Sequence, residues 1–305
     1  MNNVLVIGSL NMDFDVYTSR RPAPGETVMG QSMKMVPGGK GANQAYALAR
    51  MKVKTSMIGA VGDDPFGRML VQNLKTAGVD TSGIRLSDRE TGKAFIEIDG
   101  QGQNYITVIA GANHDLDESL LLDHIDLFEQ ADAVVMQLEI PFPIVQQAAK
   151  LCHQKGKLFI LDPAPAMRDI PADFFPLVDI AKPNETELSV LTGMPTGSRE
   201  EIVRAAQKLH ALGVRNVMVT LGGQGTLLLQ ESGMREFPAY PVKAVDTTAA
   251  GDCFLASFIS QFDGRDFAPA IDFGAKAASI AVTRPGAQSS IPDYEEVRQK
   301  FPQSR

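Results

Sequence analysis

Asp252 follows three small residues, Ala249, Ala250 and Gly251, and leads into Cys253-Phe254-Leu255-Ala256-Ser257-Phe258-Ile259. In that run Phe254, Leu255, Phe258, Ile259 and Phe262 recur at helical spacing. The small residues therefore stand where a helix begins, with Gly264 as its stop. The first N–H groups of a helix lack partners within it and lie at the positive end of its dipole, so an anion can seat there. Small side chains let that anion reach the backbone. A carboxylate in the same turn puts a proton acceptor beside a seat for phosphate, the pairing that phosphoryl transfer to a hydroxyl needs. A plainer use fits the same residues, with Thr248 capping the helix and Asp252 complementing its dipole.

Other polar residues stand at positions where ligands bind. Asn11, Asp13 and Asp15 alternate with Met12, Phe14 and Val16, so in a strand the three polar groups share a face. Such a face could ligate a polyol, whose hydroxyls need donors and acceptors; a solvated strand edge would look the same. Pro37-Gly38-Gly39-Lys40-Gly41-Ala42-Asn43-Gln44 is a glycine turn ahead of a helical run from Ala45 to Met51. It is not a P-loop, because Gly41 rather than Ser or Thr follows Lys40 and Lys34 stands where the earlier glycine belongs. Gly8-Ser9-Leu10-Asn11 likewise lacks the second and third glycines of a dinucleotide fingerprint. What remains is a backbone opened to a ligand, with Asn43 facing it from the helix start.

Glu139 lies just past the apolar run Ala133 to Leu138, at the carboxyl end of a strand, where open α/β sheets bind ligands. Asn184 and Glu187 project on one face of a first helical turn, and have capping-box spacing as well. Leu221-Gly222-Gly223-Gln224-Gly225 follows the strand Val217 to Thr220, where either a nucleotide against backbone or a hairpin turn would suit the glycines. His114 beside Asp115 and Asp117 has no second His at ligand spacing and reads as a polar loop.

These residues need a scaffold. Val4 to Ile7, Thr55 to Gly59, Ala133 to Leu138, Leu158 to Leu161 and Ile180 to Lys182 read as short buried strands. Helices alternate with them: Pro65 to Ala77 (Phe66, Met69, Leu70 and Leu74 inward), Glu118 to Gln130, Pro143 to Lys155, Glu200 to Leu212 and Ala268 to Val282. The alternation predicts one doubly wound α/β domain over residues 1–305. Residues 17–36 are punctuated by Pro and Gly, with strand-like pieces around Thr27 to Met29 and Met33 to Val36. Phe95 to Ile98 and Tyr105 to Val108 alternate as strands do, and Phe237 to Val245 reads as a strand broken by prolines.

Of the 305 residues, 44% are hydrophobic and 21% charged, as in soluble globular proteins. A net charge of −7 argues against a general nucleic-acid or membrane surface. Cys152 and Cys253 lack metal spacing, and Met1-Asn2-Asn3 enters the short apolar run directly without a basic segment, so a cytoplasmic location is expected.

The stretches 37–44 and 246–252 resemble, in their order, the two signatures of the ribokinase-like (pfkB-type) sugar kinases, and the likeness runs from about Val4 to Pro292. It implies a mainly parallel, doubly wound sheet flanked by helices, with a small β-sheet lid from insertions at about 11–37 and 93–110. It further implies ATP-dependent phosphorylation of D-ribose at the 5-hydroxyl, with Asp252 as the base and Ala249, Ala250 and Gly251 as an anion hole. Asn11, Asp13, Gly39, Lys40, Asn43, Glu139 and Asp252 would hold the sugar, and Asn184, Thr220, Gly222, Gly225 and Gly251 the nucleotide. Glu187 would orient Mg²⁺, usually through water, and Asp246, Thr248, Ala281, Arg284, Gly286 and Ser290 would surround K⁺, mostly with backbone carbonyls. A lid covered by that of a second subunit implies a homodimer. The alternatives are a kinase for deoxyribose or another furanose or nucleoside, and, from another class, a sugar or nucleotide sensor without turnover. Three departures stand out: Cys253 and Leu255 replace the usual Thr and Asn after the Asp, and Ala275 with Lys276 stands where a His or Asn touches the adenine.

Overall fold

The computed structural model describes residues 1–101 and 103–302. The chain begins with β1 (Asn3–Ile7), β2 (Asn11–Tyr17), β3 (Ser32–Gly38), α1 (Lys40–Arg50), β4 (Lys54–Gly62), α2 (Pro65–Ala77) and β5 (Asp80–Ser87). It continues through β6 (Gly92–Ile98), β7 (Asn104–Ile109), α3 (Glu118–Asp123), α4 (Ile125–Gln130), β8 (Ala133–Met136), α5 (Phe142–Lys155), β9 (Leu158–Leu161) and β10 (Ile180–Ala181). The last part holds α6 (Glu185–Thr192), α7 (Arg199–Ala211), β11 (Asn216–Thr220), β12 (Thr226–Gln230), β13 (Gly233–Phe237), α8 (Ala250–Gln261), α9 (Phe267–Ala281) and α10 (Tyr294–Lys300).

Nine strands form one sheet in the order β13-β12-β11-β10-β9-β8-β1-β4-β5. Every pairing from β11 to β5 is parallel, and β12 and β13 close the far edge antiparallel. Strand residues alternate between two separate cores. Leu5, Ile7, Val134 and Met136 pack on one face, and Val4, Val6, Ala133 and Val135 on the other, all fully buried. A sheet covered on both faces needs such continuous apolar strands, and the turns at its carboxyl ends are then free to carry polar residues.

The chain leaves this sheet twice, for β2 and β3 and again for β6 and β7, which make a separate four-stranded lid in the order β3-β2-β6-β7. On β2, Asn11 and Asp13 are buried, so the polar face is not a solvated edge. The lid carries exposed Met33, Met35, Phe95, Ile106 and Val108. Among the described residues no helix is long and apolar enough to cross a membrane.

Several expected elements differ. Thr27 to Met29 is irregular rather than extended in a strand. The helix expected from Glu118 to Gln130 breaks at His124 (φ −119°, ψ 32°) into α3 and α4. On α2 the buried positions are Gly67, Leu70 and Leu74, and Met69 points outward with 49% exposure. The strand read through Phe237 to Val245 ends at Phe237, because Pro238 and Pro241 have no N–H to continue the ladder. The helix after the first glycine turn starts at Lys40, so the turn itself is its first turn.

Candidate active site

Asp252 lies in the first turn of α8 and is 5% exposed. The residue ahead of the helix, Ala249, is left-handed (φ 57°), and no side chain caps the end. Thr248 does not cap it. Its hydroxyl and N–H both donate to Asp246 Oδ1 (2.7 and 2.9 Å). Within the expected anion hole, the Ala250 N–H turns to the Thr247 carbonyl (3.2 Å), while those of Gly251 and Asp252 are first-turn groups without helical partners.

The Asp252 carboxylate is oriented from α1. Gln44 Nε2 donates to Oδ1 (2.9 Å) and Asn43 Nδ2 to Oδ2 (3.3 Å). Burial pushes its pKa up, against the pull of the Lys40 ammonium. The Lys40 charge itself is disfavoured by burial, but the carboxylates of Asp252, Asp162, Glu139 and Glu187 outweigh that and raise its pKa. The Lys40 backbone N–H donates to Glu139 Oε2 (3.0 Å), which also accepts from Ser9 Oγ (2.5 Å).

Close approach explains the glycines of this turn. Gly39 has φ 86°, and a Cβ there would stand 2.7 Å from the Asn11 N–H nitrogen. At Gly38 a Cβ would collide with the Asp13 carboxylate. Asp13 is buried with its Oδ1 unpartnered, and burial, then Glu139, Asp15 and Asp252, push its pKa up to about 8. Asn11 Oδ1 accepts from Asn113 Nδ2 (2.8 Å). Asn11, Asp13, Gly39, Asn43 and Glu139 thus gather around Lys40 and one side of Asp252.

On the other side opens a cavity of about 800 Å³. Its lining includes Asn184 and Glu187 after β10, Thr220, Gly222 and Gly225 at and beyond the end of β11, Val242, and Ala275, Ala278 and Ser279 of α9 with Val282 just after it. Lys40 and Asp252, around which the first group gathers, line it too, with Ala249, Ala250 and Gly251. Asn184 and Glu187 do form a reciprocal capping box, Glu187 N–H to Asn184 Oδ1 and Asn184 N–H to Glu187 Oε2, both 2.8 Å. Burial raises the pKa of Glu187, with Lys182 pulling it back down.

Three residues here were not anticipated as site residues. Asp162 and Lys182 make an ion pair (3.0 Å), with side chains 3% and 4% exposed, and both line the cavity. Lys182 Nζ is close to the head of α8, within 3.3 Å of where a Gly251 Cβ would be. Gln44 also donates to Asp162 Oδ2 (2.8 Å), linking that pair to Asp252. Asp162 follows β9 and Lys182 follows β10, the carboxyl-end position that had singled out Glu139.

A separate polar cluster closes the 246–290 region. Besides Thr248, Asp246 accepts from the Gly286 N–H at Oδ2 (2.8 Å), which ties the two segments together. Burial works against the Asp246 charge, yet the hydrogen bonds from Thr248 and Gly286 win and hold its pKa low. The Ala281 carbonyl accepts from the Arg284 N–H (3.0 Å), the Arg284 guanidinium pairs with Glu296, and Ser290 is buried with its hydroxyl on the Ala287 carbonyl (2.8 Å).

The description "pfkB family carbohydrate kinase" belongs to a family model that matches residues 1–294. The chain belongs to that family. A ribokinase of Staphylococcus aureus is 39% identical over 302 residues, covering 98% of this chain and 99% of that one. A deoxyribokinase of Salmonella typhi is 34% identical, covering 96% and 97%. Among solved structures, Arabidopsis thaliana ribokinase complexed with ribose and ATP superposes with a TM-score of 0.90 at 35% identity, covering both chains completely. As a pfkB kinase, this chain keeps the family's two-sheet architecture, a large, mostly parallel sheet with a separate lid.

Proposed function

We propose that this pfkB kinase transfers the γ-phosphoryl group of ATP to the 5-hydroxyl of D-ribose, giving ribose 5-phosphate and ADP. The position of Asp252 carries the reading: it is held by Asn43 on the polyol side and lines the cavity on the other. The choice of ribose is supported by the full-length ribokinase relatives.

In this reading Asn11, Asp13, Gly39, Lys40, Asn43 and Glu139 hold the sugar hydroxyls. Asp252 aims the hydroxymethyl oxygen at the γ-phosphorus and takes its proton as the new O–P bond forms and the bridging bond to the β-phosphate breaks. ADP leaves with that electron pair. Charge on the phosphoryl oxygens is met at the head of α8, where the Ala249–Gly251 anion hole is expected, by the N–H groups of Gly251 and Asp252 rather than that of Ala250, and by Lys182 Nζ beside them. Asn184, Thr220, Gly222 and Gly225 lie along the nucleotide.

Glu187 suits Mg²⁺. The carboxylate lines the cavity with one oxygen committed to the cap. Among the described residues no group of three His, Cys, Asp or Glu forms a metal cage. Mg²⁺ keeps several waters and takes few protein ligands, so one carboxylate with the phosphates is enough. Held there by Glu187, it would supply positive charge against the phosphates during transfer. The oxygen-rich 246–290 cluster, with Asp246, Thr248 and the carbonyls of Ala281, Arg284, Gly286 and Ser290, suits K⁺, which would steady the approach to α8.

We also read the chain as a single kinase domain over 1–305, with the lid inserted at about 11–37 and 93–110. It is a cytoplasmic homodimer whose exposed lid residues Met35 and Ile106 are covered by a second lid. Neither nucleic acid nor membrane is a partner in this reading. Coupled ADP release with D-ribose, 2-deoxyribose, other furanoses and nucleosides tests the proposal. Preference for 2-deoxyribose would move the assignment to the activity named for the Salmonella relative, and no ADP release with any acceptor would favour a sensor.

A further inference from the structure

The Asp252 carboxylate does not stand alone. Gln44, 1% exposed, spends both amide hydrogens on carboxylates, one on Asp252 Oδ1 (2.9 Å) and one on Asp162 Oδ2 (2.8 Å). Its own oxygen accepts from Gln137 Nε2 (2.6 Å), and Gln137 is fully buried. A flipped Gln44 amide would aim its oxygen at two carboxylates, so the neighbours dictate a single orientation. Asp162 in turn pairs with Lys182 (3.0 Å). A buried chain therefore runs from Gln137 through Gln44 to both Asp252 and the Asp162–Lys182 pair.

We infer that Gln44, locked by Gln137, is the positioning residue for the catalytic carboxylate: it fixes the direction of Asp252 and favours its ionised, proton-accepting form. The inference rests on the assignment of Asp252 as the base. A hydrogen bond given to a carboxylate favours the charged form, and two carboxylates this near would otherwise oppose each other's ionisation. The titratable groups facing Asp252 are Lys40 from α1, Asp162 after β9, Lys182 after β10 and Asp13 from β2. Of these, only the Asp162 carboxylate shares a donor with Asp252, and that donor is Gln44. Nothing in this arrangement needs Gln44 to touch either substrate.

The test compares wild type, Q44M and Q137M, each with a thermal melt and with kcat, KM and the pH profile of kcat for sugar and MgATP. Q44M keeps the side chain's length and loses both donors. Its kcat is expected to fall roughly tenfold to a hundredfold, the worth of a hydrogen bond to a charged group, with KM for ATP unchanged. The acid limb of its kcat profile is expected to move to higher pH, which a packing residue would not cause. Q137M leaves the donors but frees the amide to turn, so it should show a smaller change in the same directions. Wild-type kcat in Q44M, or a lowered kcat with an unmoved acid limb, would overturn the positioning role. If Q44M fails to fold, Q137M decides, and an unmoved limb there overturns the role equally. A wild-type protein that releases no ADP with any sugar would instead bring down the assignment of function itself.

Discussion

Sugar binding at neutral pH should release close to one proton, and Asp13 is its source. The carboxyl is buried, its Oδ1 has no partner, and its pKa is pushed up to about 8 by burial and by the nearby Glu139, Asp15 and Asp252. At pH 7 such a group is protonated in ~0.9 of the molecules, and at pH 9 in ~0.1. Hydroxyls donating to both oxygens favour the ionised form, so the proton leaves as the sugar arrives. Titration calorimetry with D-ribose, in buffers of different ionisation enthalpy at one pH, reads the number of protons from the slope of the observed heat. A slope near one at pH 7 that fades by pH 9 is expected. Asp13→Asn should flatten the slope and weaken sugar binding by about 1.5–3 kcal/mol. Equal heats in all buffers for the wild type would refute the reasoning. The same shift acts on stability. The folded form holds this proton up to about pH 8, whereas an unfolded Asp sheds it near 3.8. Stability of the sugar-free protein should therefore fall as pH rises through that window, by at most about 1.4 kcal/mol per pH unit, and Asp13→Asn should remove this contribution.

Asp252→Asn preserves shape but cannot accept a proton, so turnover should drop by roughly 10²–10⁴ while calorimetry still finds ATP and sugar binding; near-normal turnover would remove Asp252 as the base. Replacing Na⁺ by K⁺ at matched ionic strength should raise the rate, and equal rates in the two salts would leave the 281–290 loop a structural role. Lys182→Met strands the buried Asp162 carboxylate and should cost about 3–5 kcal/mol in urea unfolding; a loss within error would show that the pair contributes no stability.

Local signals carried far where their physics was local. The helix Pro65–Ala77 was legible to the residue because Asp64 accepts from the Gly67 N–H at its start and Gly78 turns left-handed at its end. The break at His124 was not, since no Pro or Gly marks it. Met69 was misplaced because the buried face of α2 uses the small Gly67, which periodicity of large residues passes over. In the site, Asp252 was singled out by its type and its neighbours and Asp13 and Lys40 through the family resemblance, and the structure places the three near one another. Asp162 and Lys182 escaped notice because their meaning lies in the sheet order: β9 and β10 are adjacent strands, which places an Asp and a Lys side by side at their carboxyl ends. Gln44 escaped for the same reason, being informative only once α1 and α8 are seen against each other.

That meeting of α1 and α8 bears on the order in which the molecule can assemble. The hydrogen bonds from Asn43 and Gln44 to Asp252 join groups 209 and 208 residues apart. Closing a loop of that length costs entropy before any contact repays it, whereas α2 and its neighbours β4 and β5 need only local closures. A growing or refolding chain can lay down β1 to β5 early, but its carboxylate has no setting until α8 docks. Recovery of activity after dilution from denaturant is thus expected to lag behind recovery of the helical circular-dichroism signal. Simultaneous recovery of the two signals would refute this order of assembly.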